Sequence, residues 1–289
     1  FDLAKSRSVR YVKAIQCLNI PRPLGQGLWE GIPLRDILQL VGPWQNVRRA
    51  YYYGFHNNDP AQLFQSSLSM TEILETPPGD LPAFLAIQLN GEPIPLKRGG
   101  PVRMIVPWAH GFKSIKWLQN IVLTNDFHAN DTYADANNDP ESHLKSAAYF
   151  SNNASTYTSK SNVVLTGVVI SGLSQIMGVE GSLISTNKMS GETDAGKNLG
   201  IDHNWIPVKI DPPPANWSHI LPNGVDPKTL LGFNSRTGQP KDWPTRYGMA
   251  TWTANLGRLL PGNYEFRVRS IDKNGIRQPY PRPERQTGL

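Results

Sequence analysis

Asn90-Gly-Glu-Pro-Ile-Pro-Leu-Lys-Arg-Gly-Gly-Pro-Val-Arg-Met-Ile-Val-Pro107, followed by Gly111-Phe-Lys-Ser-Ile-Lys-Trp117, is the stretch on which the fold turns. Phe84–Leu89, just before it, has the composition of a strand and runs into Asn90-Gly91. Type I′ turns favour that pair because both central residues need positive φ, so a hairpin is predicted here. Val102–Val106 and Ile121–Thr124 are two further short apolar runs of strand character. Between them, His110–Lys116 forms a loop with one glycine and two lysines, and this loop is the first candidate for function.

Upstream, Leu34, Ile37, Leu38 and Val41 recur at helical spacing and Gly42-Pro43 stops the run, which predicts a short amphipathic helix. Arg49–Gly54 reads as another strand. Downstream, residues 125–162 are rich in Asn, Asp, Ser and Ala and poor in branched apolar residues. So long an irregular connection suits a link between domains, and the boundary is expected near its end, giving units 1–158 and 159–289. Past it the pattern is all β: Val163–Leu165, Val168–Ile170, Met249–Trp252 and an alternating Tyr264–Arg269, with turn signals at Pro261-Gly262-Asn263 and Lys273-Asn274-Gly275. The expected class is α+β: a mixed α/β unit followed by an immunoglobulin-like β-sandwich.

Composition agrees. A chain of 289 residues predicts roughly two domains at about 150 residues each. Charged residues make up only 18%, against 25 glycines and 25 prolines, which favours turns and short strands over long helices. With 39% hydrophobic residues and eight tryptophans the chain is not disordered, and no apolar run approaches the roughly 18 residues of a membrane span. The net charge of +6 suits an anionic ligand. The basic residues are spread without a cluster, so nucleic acid is not expected as a partner. A single cysteine, Cys17, excludes an intramolecular disulfide and any Cys-x-x-Cys site. The chain begins at Phe1, as a processed chain or a fragment would.

The quoted stretch resembles the signature of the molybdenum-cofactor domain in the sulfite oxidase family of molybdopterin enzymes. Gln16-Cys17 with Gly27–Leu38 resembles the family's ligand cysteine and the helix after it. Met249–Trp252, Pro261–Tyr264 and Arg269–Gly275 with Gln278-Pro279 resemble its dimerisation domain. The resemblance covers the chain except for the family's N-terminal part, whose Arg-bearing motif would lie before Phe1. It implies Mo-molybdopterin as cofactor, Cys17 as metal ligand, and oxygen-atom transfer to or from a small oxyanion, most nearly as in a sulfite dehydrogenase. Read alone, Cys17 would be a small buried apolar residue. A thiolate is nevertheless a suitable ligand for a soft transition-metal site, and one cysteine leaves the rest of the shell to a cofactor.

An elongated cofactor ending in a phosphate calls for Arg forks and Lys point charges on loops held by strands. Residue by residue, the resemblance places Arg103 and Ser114-Ile115-Lys116 against the cofactor, with Lys113 and His110 in the same loop. Arg98 stands where the family has a histidine, and His56 where it has an aspartate. After the cysteine, Leu18-Asn19-Ile20-Pro21-Arg22 replaces the family's Ala-Gly-Asn-Arg-Arg and keeps only the arginine, so Arg22 is the candidate for substrate binding. Tyr133 is the candidate for the family's catalytic tyrosine. Phe112–Lys116 also resembles the branch that reduces methionine sulfoxide, which keeps an S- or N-oxide reductase open as an alternative. So does a catalytically silent assembly subunit, given the lost arginine. A separate electron-transfer protein such as a cytochrome, a homodimer or larger complex, and a periplasmic or exported location follow from the resemblance alone. The histidines show no zinc spacing, and Asp131, Asp135 and Asp139 lack the pattern of a calcium loop.

Overall fold

The computed structural model describes residues 7–17, 20, 22–42, 45–55, 64–126, 142–151, 156–158, 161–186 and 204–279. Among them the strands form three sheets. The first is antiparallel, built from β1 (Val9–Ile15), β2 (Gly25–Pro33), β5 (Phe84–Leu89) and β6 (Glu92–Pro93) in that order, with β7 (Arg103–Ile105) also pairing with β5. The predicted hairpin is present: Leu89 faces Glu92, and Asn90 and Gly91 have φ of 54° and 80°. The second sheet runs in the order β4 (Phe64–Ser69), β3 (Arg49–Gly54), β8 (Leu118–Thr124). The predicted helix occupies Leu34–Leu38 and buries Leu34 and Leu38. Its upstream part, read by resemblance as helical from Gly27, is strand β2 up to Pro33. Pro33 is held at φ −52° and ψ 133°, outside the helical region, so the helix starts only at Leu34.

The remaining strands make one six-stranded sheet: β14 (Tyr264–Asp272), β11 (Ile176–Ser185), β12 (Ile206–Ile210), β13 (Met249–Gly257), β10 (Val163–Ile170) and β9 (Ala147–Phe150). Its end strands approach each other, so the sheet is a near-closed antiparallel barrel-like sandwich. Ser270 Oγ donates to Ser146 O (3.0 Å), and Phe150 meets Phe266 edge-on at 6.0 Å. The runs Val163–Leu165 and Val168–Ile170 are one strand. Gly167 interrupts the apolar pattern because Trp252, fully buried, fills the space beside it. A Cβ at 167 would sit 2.0 Å from Tyr149 O and 2.2 Å from the Trp252 ring. Gly167→Ala is therefore expected to destabilise the protein by about 1–3 kcal/mol, read as a lowered urea midpoint with an unchanged slope. The alternation expected for Tyr264–Arg269 is not seen in burial: all six positions are half-buried, because the curled sheet covers both faces of β14 in part.

One apolar core joins the first sheet to the six-stranded one. Tyr11, Ile15, Trp29 and Phe84 from the first sheet pack with Leu144, Ala147, Tyr149, Ile170 and Tyr247. Ala14 N donates to Tyr247 O (2.9 Å), and Met249 N donates to Gln26 Oε1 (2.6 Å). The β1–β2 ribbon is thus fixed from behind by the second half of the chain. Among the described residues no helix is long and apolar enough to cross a membrane.

Candidate cofactor site

Cys17 lies half-buried just past the end of β1. The residue before it, Gln16, is buried and donates from Nε2 to Cys17 O (2.8 Å) and Ile20 O (2.7 Å), which holds from inside the turn that carries the thiol. Gln16 O in turn accepts from Gly111 N (2.7 Å) and lies 3.4 Å from His110 Nδ1. The loop read as functional from sequence is therefore fastened to the strand exit that presents the only thiol of the chain.

The same loop is tied down along its length. Gly111–Lys113 form a 3-10 turn. Lys113 is buried and donates from Nζ to Ser67 O (3.0 Å), while Tyr52 Oη donates to Lys113 O (2.9 Å). Ser114 Oγ accepts from Val106 N (3.1 Å), and Ile115 O accepts from Met104 N (2.9 Å), with the Ile115 side chain in a second apolar core. Ser114 and Ile115 thus hold the loop through contacts inside the protein. Arg103 ties the loop to the 3-10 turn Leu96–Arg98: Nε donates to Ser114 O (3.1 Å) and Nη1 to Arg98 O (3.0 Å), with the guanidinium 5.2 Å from the Trp29 ring centre. Lys116 donates to Lys97 O (3.2 Å) and sits 5.1 Å from the Trp117 ring centre.

The electrostatics are one-sided. Burial and then the Arg98 charge lower the Arg103 guanidinium to about 10. Burial, followed by Arg103 and Arg98, also lowers Lys116. Lys13, in the middle of β1, is fully buried; burial and then Arg103 bring its ammonium down to about 7. Among the described residues, no carboxylate forms an ion pair with Lys13, Arg98, Arg103 or Lys116. Trp29, beside Arg103, holds a buried indole N–H without an acceptor among the described residues. Positive charge accumulates here with carbonyl acceptors but no paired carboxylate among the described residues, a setting that favours an anion.

Lys13 has a pH signature. Its folded value lies below the unfolded value of about 10.4, so the unfolded chain binds more protons between pH 7 and 10 and stability rises with pH across that window. The ligand-free protein is expected to be more stable at pH 9 than at pH 7. Lys13→Met should flatten that rise, as measured by urea unfolding at both pH values.

Of the residues expected from sequence, the fold brings together Cys17, Arg98, Arg103, His110, Ser114, Ile115 and Lys116, through the contacts above. Arg22 is exposed on the segment between β1 and β2. His56 and Tyr133 lie outside the described residues. Sequence reasoning passed over Lys13. The available signal was its place between Tyr11 and Ile15, two inward positions of an alternating strand.

The donor set fits a molybdopterin-type cofactor: one thiolate near a charged loop, and N–H donors for an anionic tail. Among the described residues no group of three His, Cys, Asp or Glu side chains could hold a metal by itself, so most of the metal's ligands would come from the cofactor.

Comparison with known proteins agrees. Residues 2–132 match the family described as the oxidoreductase molybdopterin binding domain. The chain is 33% identical over 107 residues to the inducible nitrate reductase [NADH] 2 of Glycine max, covering 36% of this chain and 12% of that protein. It is 32% identical over 105 residues to the protein-methionine-sulfoxide reductase catalytic subunit MsrP of Xanthomonas campestris, covering 32% and 30%. To the mitochondrial sulfite oxidase of Drosophila melanogaster it is 31% identical over 103 residues, covering 35% and 18%. The matches thus span less than a third of these relatives. In fold, the sulfane dehydrogenase SoxCD of Paracoccus pantotrophus superposes with a TM-score of 0.63 at 16% identity, over 96% of this chain and 64% of that one. Residues 2–132 are thus similar to a molybdopterin-binding oxidoreductase domain, and the fold as a whole is like that of SoxCD.

Proposed function

We propose that the protein is a molybdopterin-dependent oxidoreductase that transfers an oxygen atom to or from a small oxyanion, with sulfite oxidation as the leading reading. The observation that carries it is the fastening of loop 110–116, itself tied down by Arg103, to the strand exit that carries Cys17. When bound, the cofactor supplies a metal that changes oxidation state as oxygen passes to or from the substrate. The protein's own part is narrower. Cys17 offers the thiolate, Gln16 holds its turn, Arg98, Arg103 and Lys116 meet the anionic tail, and the apolar core behind β1 keeps water from that side. His110 and Lys113 fix the loop, whereas His56 and Tyr133 enter by resemblance only.

Reduction of an S- or N-oxide is the second reading, favoured by the similarity of about a third of the chain to a methionine-sulfoxide reductase subunit. Arg22 separates the two. A guanidinium fork can grip two oxygens of an oxyanion, and lysine keeps the charge without the fork. Arg22→Lys is expected to raise the KM for sulfite about tenfold, equivalent to about 1.4 kcal/mol, with kcat little changed. The same change should leave turnover of a neutral sulfoxide unaltered. Steady-state assays of both substrates on both proteins decide it, and an unchanged sulfite KM rejects the Arg22 pocket.

Division into a cofactor unit and an assembly unit, expected at 158, belongs to this proposal. The pairing of β9 with β10 favours counting 147–150 with the second unit. That unit would mediate a homodimer or a larger complex, with electrons exchanged with a separate protein such as a cytochrome.

A further inference from the structure

We propose that Gln16 is a positioning residue for Cys17: its buried side-chain amide fixes the direction in which the thiol leaves the backbone, and through it the sulfur–metal bond. The inference rests on reading Cys17 as the metal ligand, and adds to that site a residue that acts on the thiol through the backbone alone.

The β1–β2 pairing ends at Ile15 and Gly25, where Leu24 N donates to Ile15 O (2.8 Å), so Gln16 and Cys17 open the connection between the two strands. Two planar peptide groups flank the Cys17 Cα. Holding the oxygen of each therefore holds the Cα–Cβ direction and leaves the thiol one rotation, about χ1. The plane before Cys17 is held from outside, since Gln16 O accepts from Gly111 N (2.7 Å). A side chain at 111 would crowd that approach, because a Cβ there would lie 3.2 Å from the same oxygen. The plane after Cys17 is held from within: Gln16 Nε2 donates to Cys17 O (2.8 Å) and, with its second proton, to Ile20 O (2.7 Å). Turned over, the amide would set its own oxygen against two carbonyl oxygens, so these contacts also fix which atom is nitrogen. Gln16 is buried, and its Oε1 meets no donor among the described residues, so what the side chain holds it holds through Nε2. Of the two anchors, this is the one made by a side chain, and water does not compete for it in a buried position. A carboxylic acid of the same length could donate one such bond at most, and a methionine none.

The test compares wild type with Gln16→Met and Gln16→Glu. In the ligand-free protein, alkylation by iodoacetamide, followed by mass, reads the freedom of the only thiol of the chain. Gln16→Met should speed it about tenfold, as loss of two neutral hydrogen bonds implies, with Gln16→Glu in between. In protein purified with its cofactor, molybdenum content should stay within about twofold of wild type. The thiolate-to-metal absorption band should shift, and kcat for sulfite should fall about tenfold at nearly constant KM. A purely structural role would lower the melting temperature and the loaded fraction, and leave the band of that fraction unmoved. That result, or a wild-type alkylation rate in Gln16→Met, overturns the inference and leaves the proposed function standing. If Gln16→Met does not fold, the same readouts on Gln16→Glu decide. Where too little of a variant loads for a band to be read, the alkylation rate decides alone. A wild type that carries no molybdenum, with faster alkylation in the variants, supports the clamp and rejects the metal as what the thiol meets.

Discussion

Cys17→Ser is expected to abolish turnover while leaving the fold intact. The side chain is half-buried, so the hydroxyl adds no fully buried polar group and stability should change by less than about 0.5 kcal/mol. The chemical change is far larger. A thiolate is soft and forms near neutral pH, whereas a serine hydroxyl deprotonates only with difficulty and is a hard donor. Loss of outer-shell partners alone typically costs 10- to 100-fold in metal affinity or activity, so loss of the protein's own ligand should cost at least about 100-fold in kcat, or about 2.7 kcal/mol. Unchanged thermal unfolding together with undetectable activity is the expected pair of results. Retained activity would remove Cys17 from the site.

Arg103→Ala should strip the protein of cofactor. Arg103 ties the 110–116 loop to Arg98 from inside the protein, through Ser114 O and Arg98 O, and it contributes a buried positive charge. The variant loses two charge-assisted hydrogen bonds and a contact to the anionic tail, for an expected fall of about ten- to hundredfold in cofactor affinity. Arg103→Lys keeps the charge and loses the fork, so it should rank between alanine and wild type in molybdenum content. The stability of the ligand-free Arg103→Ala protein should change less than its affinity, because the lost hydrogen bonds are offset by relief of repulsion with Arg98, Lys116 and Lys13. Equal molybdenum content in all three proteins would contradict the account.

Much of this was legible in the sequence where the signal is local. Phe84–Leu89 ending at Asn90-Gly91 announces a hairpin in neighbouring residues, and Leu34, Ile37 and Leu38 announce a helical turn. The strands that were missed carry their reasons elsewhere in the chain. β2 contains Gly25, Gly27 and Gly31 and reads as irregular, because Gly31 must admit the backbone of Leu85 and Ala86 across the sheet. β11 hides behind Gly178 and Gly181, the latter making room for Phe266. Near-closure of the six-stranded sheet depends on the approach of β9 and β14, more than a hundred residues apart, and no periodicity reports such an approach.

The site follows the same rule. Arg103 and Lys116 were found through their resemblance in a contiguous stretch, whereas Lys13 acquires meaning only when β1 is laid beside Trp29 and Arg103. Its inward position was visible in the alternation of Tyr11, Lys13 and Ile15, but a lysine there reads as an exception until the other cations are known to surround it.

The central claim is that Cys17 and the 110–116 loop bind a molybdenum cofactor. Metal analysis with visible absorption of the purified protein tests it most directly. The account predicts stoichiometric molybdenum and a thiolate-to-metal absorption band that is missing in Cys17→Ser. Protein expressed in a host that makes the cofactor, yet free of molybdenum and of that band, would contradict it.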